Sequence, residues 1–200
     1  MYKVYGDMLS GNCYKIKMLL TFLNIEHEWI HVDILNGETQ TEAFKSINPN
    51  GKIPLLVIDD GQVLAESNAI LNYLAEGTEY LPRSKFERAS VLQWQFFEQY
   101  SHEPYIAVAR YINKYLGLPS DRMAEYESKQ SGGHKALKVM EEHLTNKTYF
   151  VANKISIADI SLFAYTQVAH EGGFDLAGYP NILAWIKRIQ DLPDYIEMAR

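Results

Sequence analysis

The sequence contains a single cysteine, Cys13, among its 200 residues. One cysteine cannot form an internal disulfide, and a fold without disulfides is typical of a reducing compartment. Such a chain depends on its apolar core, and hydrophobic residues make up 47% of it, which is enough for a core and argues against disorder. The length predicts one large domain or two modest ones.

Long apolar runs, an excess of positive charge and clustered metal ligands are also missing. The longest apolar run, about IPLLVI at residues 53–58, is far shorter than a membrane span. The first residues lack the apolar core of a signal peptide. The formal net charge of −6 provides no overall basic face for nucleic acid, and His134, His143 and His170 lack metal-ligand spacing. We therefore expect a soluble cytoplasmic protein with no membrane, nucleic-acid or metal partner.

The first 76 residues alternate between strand and helix patterns in the order β-α-β-α-β-β-α. Strands are predicted over residues 3–6, 27–33, 55–58 and 62–65. Helices are predicted after the polar turn that ends at residue 12, within 37–51, and from Ser67, which is predicted as a cap. A helical crossover should make the first two strands parallel. The short turn at Asp60-Gly61 should make the last two antiparallel.

The rest of the chain shows helix patterns and no convincing strand. Residues 77–85 contain Gly and Pro and are predicted as a linker. Helices are predicted over residues 86–116, where Pro104 could introduce a kink, 122–144, weakened by Gly132-Gly133, 181–189 and 194–199. The stretch SIAD, ending at Asp159, fits a capping box. The expected architecture is an α/β domain over 1–76 and an all-α domain over 86–200.

Polar residues at the ends of the predicted elements suggest ligand contacts. Pro54 belongs at a strand start, where a cis peptide bond would offer the backbone of Ile53 to an extended ligand. Glu66 and Ser67 lie where a strand ends and a helix begins, so the helix N-terminus could bind a carboxylate and Glu66 an ammonium group. Lys52 could pair with a second carboxylate. The alternative interpretation is an ordinary helix cap with a solvated glutamate and lysine.

Ser10 opens the stretch SGNC at the start of the first predicted helix. A thiolate at this position would gain from the helix dipole and nearby donors, which lower a thiol pKa. No His–Asp pair lies near Ser10 in the sequence, so it is better suited to donate to a ligand sulfur than to attack. Cys13 is either a redox thiol able to form a mixed disulfide or a small buried residue.

Four segments, SGNC, NPNGKIPLL, ES at Glu66-Ser67 and SIAD, occur across most of the chain in the order and spacing of a known family. In these segments the sequence resembles the cytosolic glutathione transferases, in particular serine-type and bacterial members. The resemblance implies a thioredoxin-like N-terminal domain, a helical C-terminal domain and a homodimer. It implies glutathione as co-substrate, with no metal, and transfer of alkyl or aryl groups.

The resemblance also implies roles for individual residues. Ser10 would hydrogen-bond the glutathione sulfur, and Ile53 would pair with the cysteinyl backbone. Glu66 and Ser67 would hold the γ-glutamyl end, and Lys52 lies where a basic side chain often meets the glycyl carboxylate. Three features depart from the family pattern. Asn12 replaces a proline and, as in some bacterial relatives, could share the sulfur contact, and Asn68 replaces an arginine. Cys13 occupies the second-cysteine position of a Cys-x-x-Cys redox motif whose first position is Ser10.

Three functions remain open from the sequence. The first is conjugation of glutathione to a hydrophobic electrophile, for which Tyr105 and Tyr111 of the helical domain are the candidate pocket residues. The second is a glutathione-dependent thiol-disulfide oxidoreductase or peroxidase that uses Cys13. The third is a non-catalytic binding scaffold, although a scaffold would need none of the implied glutathione contacts.

Overall fold

The computed structural model describes residues 1–199. These residues divide into two compact units. The first unit comprises Met1–Glu76 together with the stretch from Asp194 onward, and the second comprises Gly77–Pro193. No helix among residues 1–199 has the length and apolar character needed to cross a membrane.

The first unit contains a four-stranded mixed sheet. Its strands are β1 (Tyr2–Gly6), β2 (His27–His31), β3 (Leu55–Val57) and β4 (Val63–Ala65), in the order β2-β1-β3-β4. β1 is parallel to β2 and antiparallel to β3, and β3 is antiparallel to β4. This confirms the prediction that a helical crossover aligns the first pair of strands and a tight turn reverses the last pair.

Three α-helices connect and flank these strands, α1 (Gly11–Phe22), α2 (Glu42–Ile47) and α3 (Ser67–Ala75), and a short 3-10 helix at Glu38–Gln40 precedes α2. Ser10 caps α1, and Thr41 caps α2 through the backbone N–H of Phe44. The prediction that Ser67 caps α3 is wrong by one residue. Glu66 occupies the cap position, without a side-chain cap hydrogen bond, and Ser67 is the first helical residue.

The second unit is helical, as predicted. Its α-helices are α4 (Lys85–Phe97), α5 (Glu103–Arg110), α6 (Met123–Leu144), α7 (Ile157–Thr166) and α8 (Pro180–Gln190). The single long helix predicted over residues 86–116 is interrupted by π-helical segments at Glu98–His102 and Tyr111–Tyr115. Pro104 lies in the first turn of α5, where proline needs no intrahelical acceptor for its missing N–H.

The Gly132-Gly133 pair does not break α6, which continues through it. A Cβ atom at Gly132 would overlap the ring of Tyr105, and one at Gly133 would overlap the ring of Phe174. The two glycines therefore allow aromatic rings to pack directly against the α6 backbone, which is a packing role that helix propensity alone does not indicate.

The helix predicted over residues 194–199 is wrong, because this stretch has no regular secondary structure. It belongs to the first unit and not, as expected, to the helical domain. The hydroxyl of Tyr14 donates to the carbonyl oxygen of Ile196 at 2.7 Å, and Met198 is buried. A six-residue segment gains little from helix formation by itself, so tertiary contacts decide its conformation.

Candidate active site

The turn before α1 is fixed by its own hydrogen bonds. The backbone N–H of Ser10 donates to the carbonyl of Asp7 at 3.0 Å, and the Asp7 carboxylate accepts from the N–H of Leu9 at 2.8 Å. The Oγ of Ser10 accepts from the N–H of Cys13 at 3.5 Å. A hydroxyl has one donor besides its acceptor sites, so the cap occupies an acceptor site of Ser10 and not its O–H group.

Three polar side chains join the first turn of α1 to the start of α3. The ammonium of Lys15 donates to Oδ1 of Asn12 at 2.7 Å and lies 3.4 Å from Oγ of Ser67. The Ser67 hydroxyl in turn donates to the same Asn12 oxygen at 3.2 Å. The structure thus brings Asn12, predicted near the sulfur, into direct contact with Ser67, predicted at the γ-glutamyl end.

Glu66 lies between β4 and α3 in an unusual backbone conformation, with φ 67° and ψ 115°. A residue other than glycine in such a region costs on the order of 1–3 kcal/mol, and strained residues of this kind concentrate at ligand sites. The Glu66 side chain is exposed and can accept from an ammonium group. The first N–H groups of α3, which have no intrahelical acceptors, begin at the next residue.

Two amide side chains support the loop before β3. Asn48 donates to the carbonyl of Lys52 at 2.8 Å, and Gln40 donates to the carbonyl of Gly51 at 3.2 Å. Gly51 has φ 60°, and a Cβ there would lie 2.9 Å from the Gln40 amide nitrogen. The Lys52 side chain is exposed, and the peptide bond between Ile53 and Pro54 is cis.

Comparison with known proteins gives the same family for both units. The family model of the glutathione S-transferase N-terminal domain matches residues 9–76, and that of the C-terminal domain matches residues 91–193. The chain belongs to the glutathione S-transferase family. It is a glutathione transferase with a thioredoxin-like N-terminal domain, a helical C-terminal domain and glutathione as co-substrate.

Individual relatives cover nearly the whole chain. A crystal structure of a glutathione S-transferase from Pseudomonas fluorescens is 59% identical, with a TM-score of 0.97, and the match covers 100% of this chain and 99% of that one. The disulfide-bond oxidoreductase YfcG of Escherichia coli is 31% identical over 92% of this chain and 88% of its own length. Glutathione S-transferase 3 of Zea mays is 30% identical over 96% of this chain and 90% of its own length.

Cys13 of this transferase is buried, with none of its surface exposed. Its Sγ lies against β1, because a Cβ on Gly6 would be 2.9 Å from that sulfur. Burial raises the pKa of the thiol to about 12, although hydrogen bonding at Ser10 and the charge of Lys15 act in the opposite direction. A reactive cysteine needs an accessible thiolate, so these features argue against the redox interpretation of Cys13.

The candidate pocket residues Tyr105 and Tyr111 have different surroundings in the second unit. Tyr105 packs on α6 at Gly132, whereas Tyr111 is exposed and its ring centroid lies 6.1 Å from that of Tyr115. A cavity of about 450 Å³ in this unit is lined by residues of 77–87 and 151–156, and neither tyrosine lines it. The role of both tyrosines in electrophile binding therefore stays a prediction.

Two other polar residues of the second unit have structural partners. His102 is buried and its Nε2 lies 2.9 Å from the hydroxyl of Thr166. Arg110 is buried and forms an ion pair with Glu171 at 2.5 Å, which Lys114 also contacts at 2.5 Å. Within residues 1–199, no group of histidine, cysteine and acidic side chains is arranged to hold a metal ion.

Sequence reasoning missed Lys15, which completes the polar contact between α1 and α3. One signal could have revealed it: Lys15 follows Asn12 by three positions, and residues three apart are neighbours on a helix surface. Asn48 and Gln40 were also missed, because the loop contacts that they make are not a property of any short motif.

Proposed function

We propose that this transferase stabilises the thiolate of bound glutathione with the hydroxyl of Ser10 and the amide of Asn12, and that the thiolate attacks an electrophilic carbon. Ser10 is the catalytic residue, because its O–H donates to the sulfur that carries the developing negative charge. Donors placed at such a charge accelerate a reaction when they bind the anion better than the neutral thiol.

One observation carries this proposal: the direct hydrogen bond between Asn12 and Ser67, at 3.2 Å. It brings the start of α1, with Ser10 at its cap, beside the start of α3. Two helix N-termini in contact create a region of positive potential that suits a ligand with a thiolate near one helix and a carboxylate near the other. Glutathione has these groups, in its cysteinyl and γ-glutamyl residues.

The other proposed contacts assume that glutathione binds with its thiolate near the start of α1 and its γ-glutamyl end near the start of α3. The γ-glutamyl carboxylate would bind Ser67 and the first N–H groups of α3, with its ammonium group on Glu66. The backbone of Ile53 would pair with the cysteinyl residue, and Lys52 would meet the glycyl carboxylate. For the hydrophobic electrophile we expect contributions from Tyr105 and Tyr111.

The functional state that we propose is a cytoplasmic homodimer. The single cysteine supports a reducing compartment. Support for the dimer comes from α4 and the segment after it, where four large apolar side chains are exposed at Phe86, Leu92, Phe96 and Tyr100. Exposed apolar patches of this kind are rare on monomers, and two-fold dimers are the commonest oligomers.

A second candidate activity is disulfide reduction by the bound glutathione, which the E. coli relative named as a disulfide-bond oxidoreductase favours. In this reaction the glutathione thiolate attacks one sulfur of a disulfide and releases the other sulfur as a thiolate. A second glutathione then attacks the mixed disulfide, which gives oxidised glutathione and the reduced thiol. Buried Cys13 takes no part in these steps.

The test is glutathione conjugation to a chloronitroarene by wild type, Ser10→Ala and Asn12→Ala, with glutathione affinity measured by calorimetry. We expect Ser10→Ala to lower kcat by roughly 10²-fold, the usual loss for one oxyanion donor. Its glutathione affinity should change little, and the pH profile of kcat/KM should move to higher pH, because the bound thiol is then harder to ionise.

Ser90→Ala provides a matched control, since this hydroxyl donates to the Phe86 carbonyl within α4. It should retain wild-type kinetics. If Ser10→Ala and Asn12→Ala also retain them while glutathione still binds, other groups stabilise the thiolate and the proposed mechanism is wrong.

A further inference from the structure

Lys15 is a lysine whose surface is completely buried, in the first turns of α1. Burial of an ammonium group is costly unless polar partners replace its water. Two of these partners, Asn12 and Ser67, are the side chains to which the proposed function assigns the glutathione sulfur and γ-glutamyl end. Burial of Lys15 therefore costs desolvation free energy that a solvated lysine would not lose. The polar groups that offset this cost belong to the proposed glutathione site.

The chemistry of the ammonium group determines the orientation of Asn12. A lysine ammonium has three N–H donors and no acceptor, so only the carbonyl oxygen of the Asn12 amide can face it. The Ser67 hydroxyl bonds the same oxygen, at 3.2 Å. Two donors on Oδ1 hold the amide in one of its two orientations, and the Nδ2 group then points away from Lys15.

We infer that Lys15 is a positioning residue that directs the Nδ2–H donor of Asn12 toward the glutathione sulfur. This inference rests on the proposed function. It adds the reason why the amide at position 12 acts as a donor to a thiolate. Without Lys15, the amide could rotate and present its carbonyl oxygen, which would repel the thiolate.

The buried positive charge of Lys15 should also stabilise the glutathione thiolate. A positive charge near a thiol favours the ionised form, and low polarity around it reduces screening by water. The pKa of Cys13, on the same helical turn, already responds to it in this direction. Because no surface of Lys15 is exposed, it acts on the ligand through Asn12 and through its field, without touching the ligand.

The first test replaces Lys15 with methionine, which has a similar length and no charge. We expect the apparent pKa of the bound glutathione thiol to rise by about one unit, and kcat/KM at neutral pH to fall about tenfold. Thiolate absorbance and the pH profile of kcat/KM report this pKa. Lys17→Met is the control: Lys17 lies on the same helix, but its ammonium is 3.1 Å from His27 and 5.6 Å from the Trp29 ring centroid.

A double mutant separates positioning from general destabilisation. If Lys15 acts in part through Asn12, then the loss of kcat/KM in Lys15→Met combined with Asn12→Ala should be smaller than the product of the two single losses. A purely structural Lys15 would lower the denaturation midpoint while leaving the pH profile unchanged and the two losses additive, and that result would overturn the inference.

A further measurement needs no variant. In the wild type, the side-chain amide protons of Asn12 should shift in NMR spectra when glutathione binds, and shift less with S-methylglutathione, whose sulfur carries no charge. Equal shifts would overturn the proposed orientation. Unchanged kinetics in Ser10→Ala and Asn12→Ala would refute the proposed function itself, whereas an effect in these variants without one in Lys15→Met refutes only the role of Lys15.

Discussion

Among single residues, Cys13 distinguishes glutathione chemistry from chemistry by the protein's own thiol. With a pKa of about 12, only about one Cys13 in 10⁵ is a thiolate at pH 7. We therefore expect Cys13→Ala to retain both conjugation and any disulfide reduction by glutathione. In the native wild type, alkylation of Cys13 should be slow when followed by mass spectrometry. Rapid alkylation, or loss of disulfide reduction in the variant, would restore the redox interpretation.

The site residues that could be predicted from the sequence belong to local motifs, whereas the others are recognised only by their contacts in the folded structure. Ser10 and Glu66 follow strand patterns at helix starts, so their positions could be predicted from local motifs. Lys15 lies among apolar residues of α1, and a lysine there is usually solvated, so its complete burial is visible only in three dimensions. The contacts of Asn12 with Ser67 depend on pairing residues that are 55 positions apart.

Among the elements, α7 depends most clearly on one side chain. The prediction of a capping box at SIAD is confirmed: Ser156 and Asp159 exchange hydrogen bonds at the start of α7. The buried Asp159 carboxylate also accepts from the backbone of Phe150 and the indole of Trp185, both at 3.0 Å. It therefore joins the cap of α7 to the preceding loop and to α8.

The pH dependence of stability should report Asp159. Burial outweighs these hydrogen bonds and raises its pKa from 3.8 to about 6. The folded state thus binds more protons than the unfolded state between these values, so the contribution of Asp159 to the free energy of unfolding should fall by about 2 kcal/mol as the pH rises from 4 to 6. In urea titrations across this range, Asp159→Asn should lose this decrease, whereas Asp175→Asn, at an exposed aspartate, should keep it. Identical slopes in wild type and Asp159→Asn would contradict the assignment.

Elements with a strong local signal were predicted better than those decided by tertiary packing. Strand directions followed from connection length, and the capping box from residue spacing. The π-helical segments at Glu98–His102 and Tyr111–Tyr115 insert extra residues into a pattern that still looks helical, so periodicity did not reveal them. The stretch after Pro193 was wrongly predicted as a helix, because its conformation depends on a contact with α1 at the other end of the chain.

For the whole molecule, the two-unit architecture could be predicted from the change of pattern near residue 77, but the surface that we propose for pairing two copies could not. Residues that pack inside and residues that pack on a partner have the same composition and the same helical period. In α4 the structure distinguishes buried from exposed apolar residues: Val91 and Trp94 are buried, while Leu92 and Phe96 are exposed on another face. This exposed face is therefore the surface that we expect a second copy to cover.

Leu92 and Leu183 allow a matched test of this dimer. Both are leucines on helices of the second unit, α4 and α8, and their exposed fractions are 44% and 43%. Leu92→Glu would place a charge in the proposed interface, where it loses water without gaining a partner, so the dimer should dissociate at micromolar concentrations. Leu183→Glu carries the same charge outside this face and should remain dimeric. Light scattering after size-exclusion chromatography measures both. A monomeric wild type would exclude the dimer. A Leu92→Glu variant that stays dimeric while Leu183→Glu dissociates would place the dimer surface elsewhere.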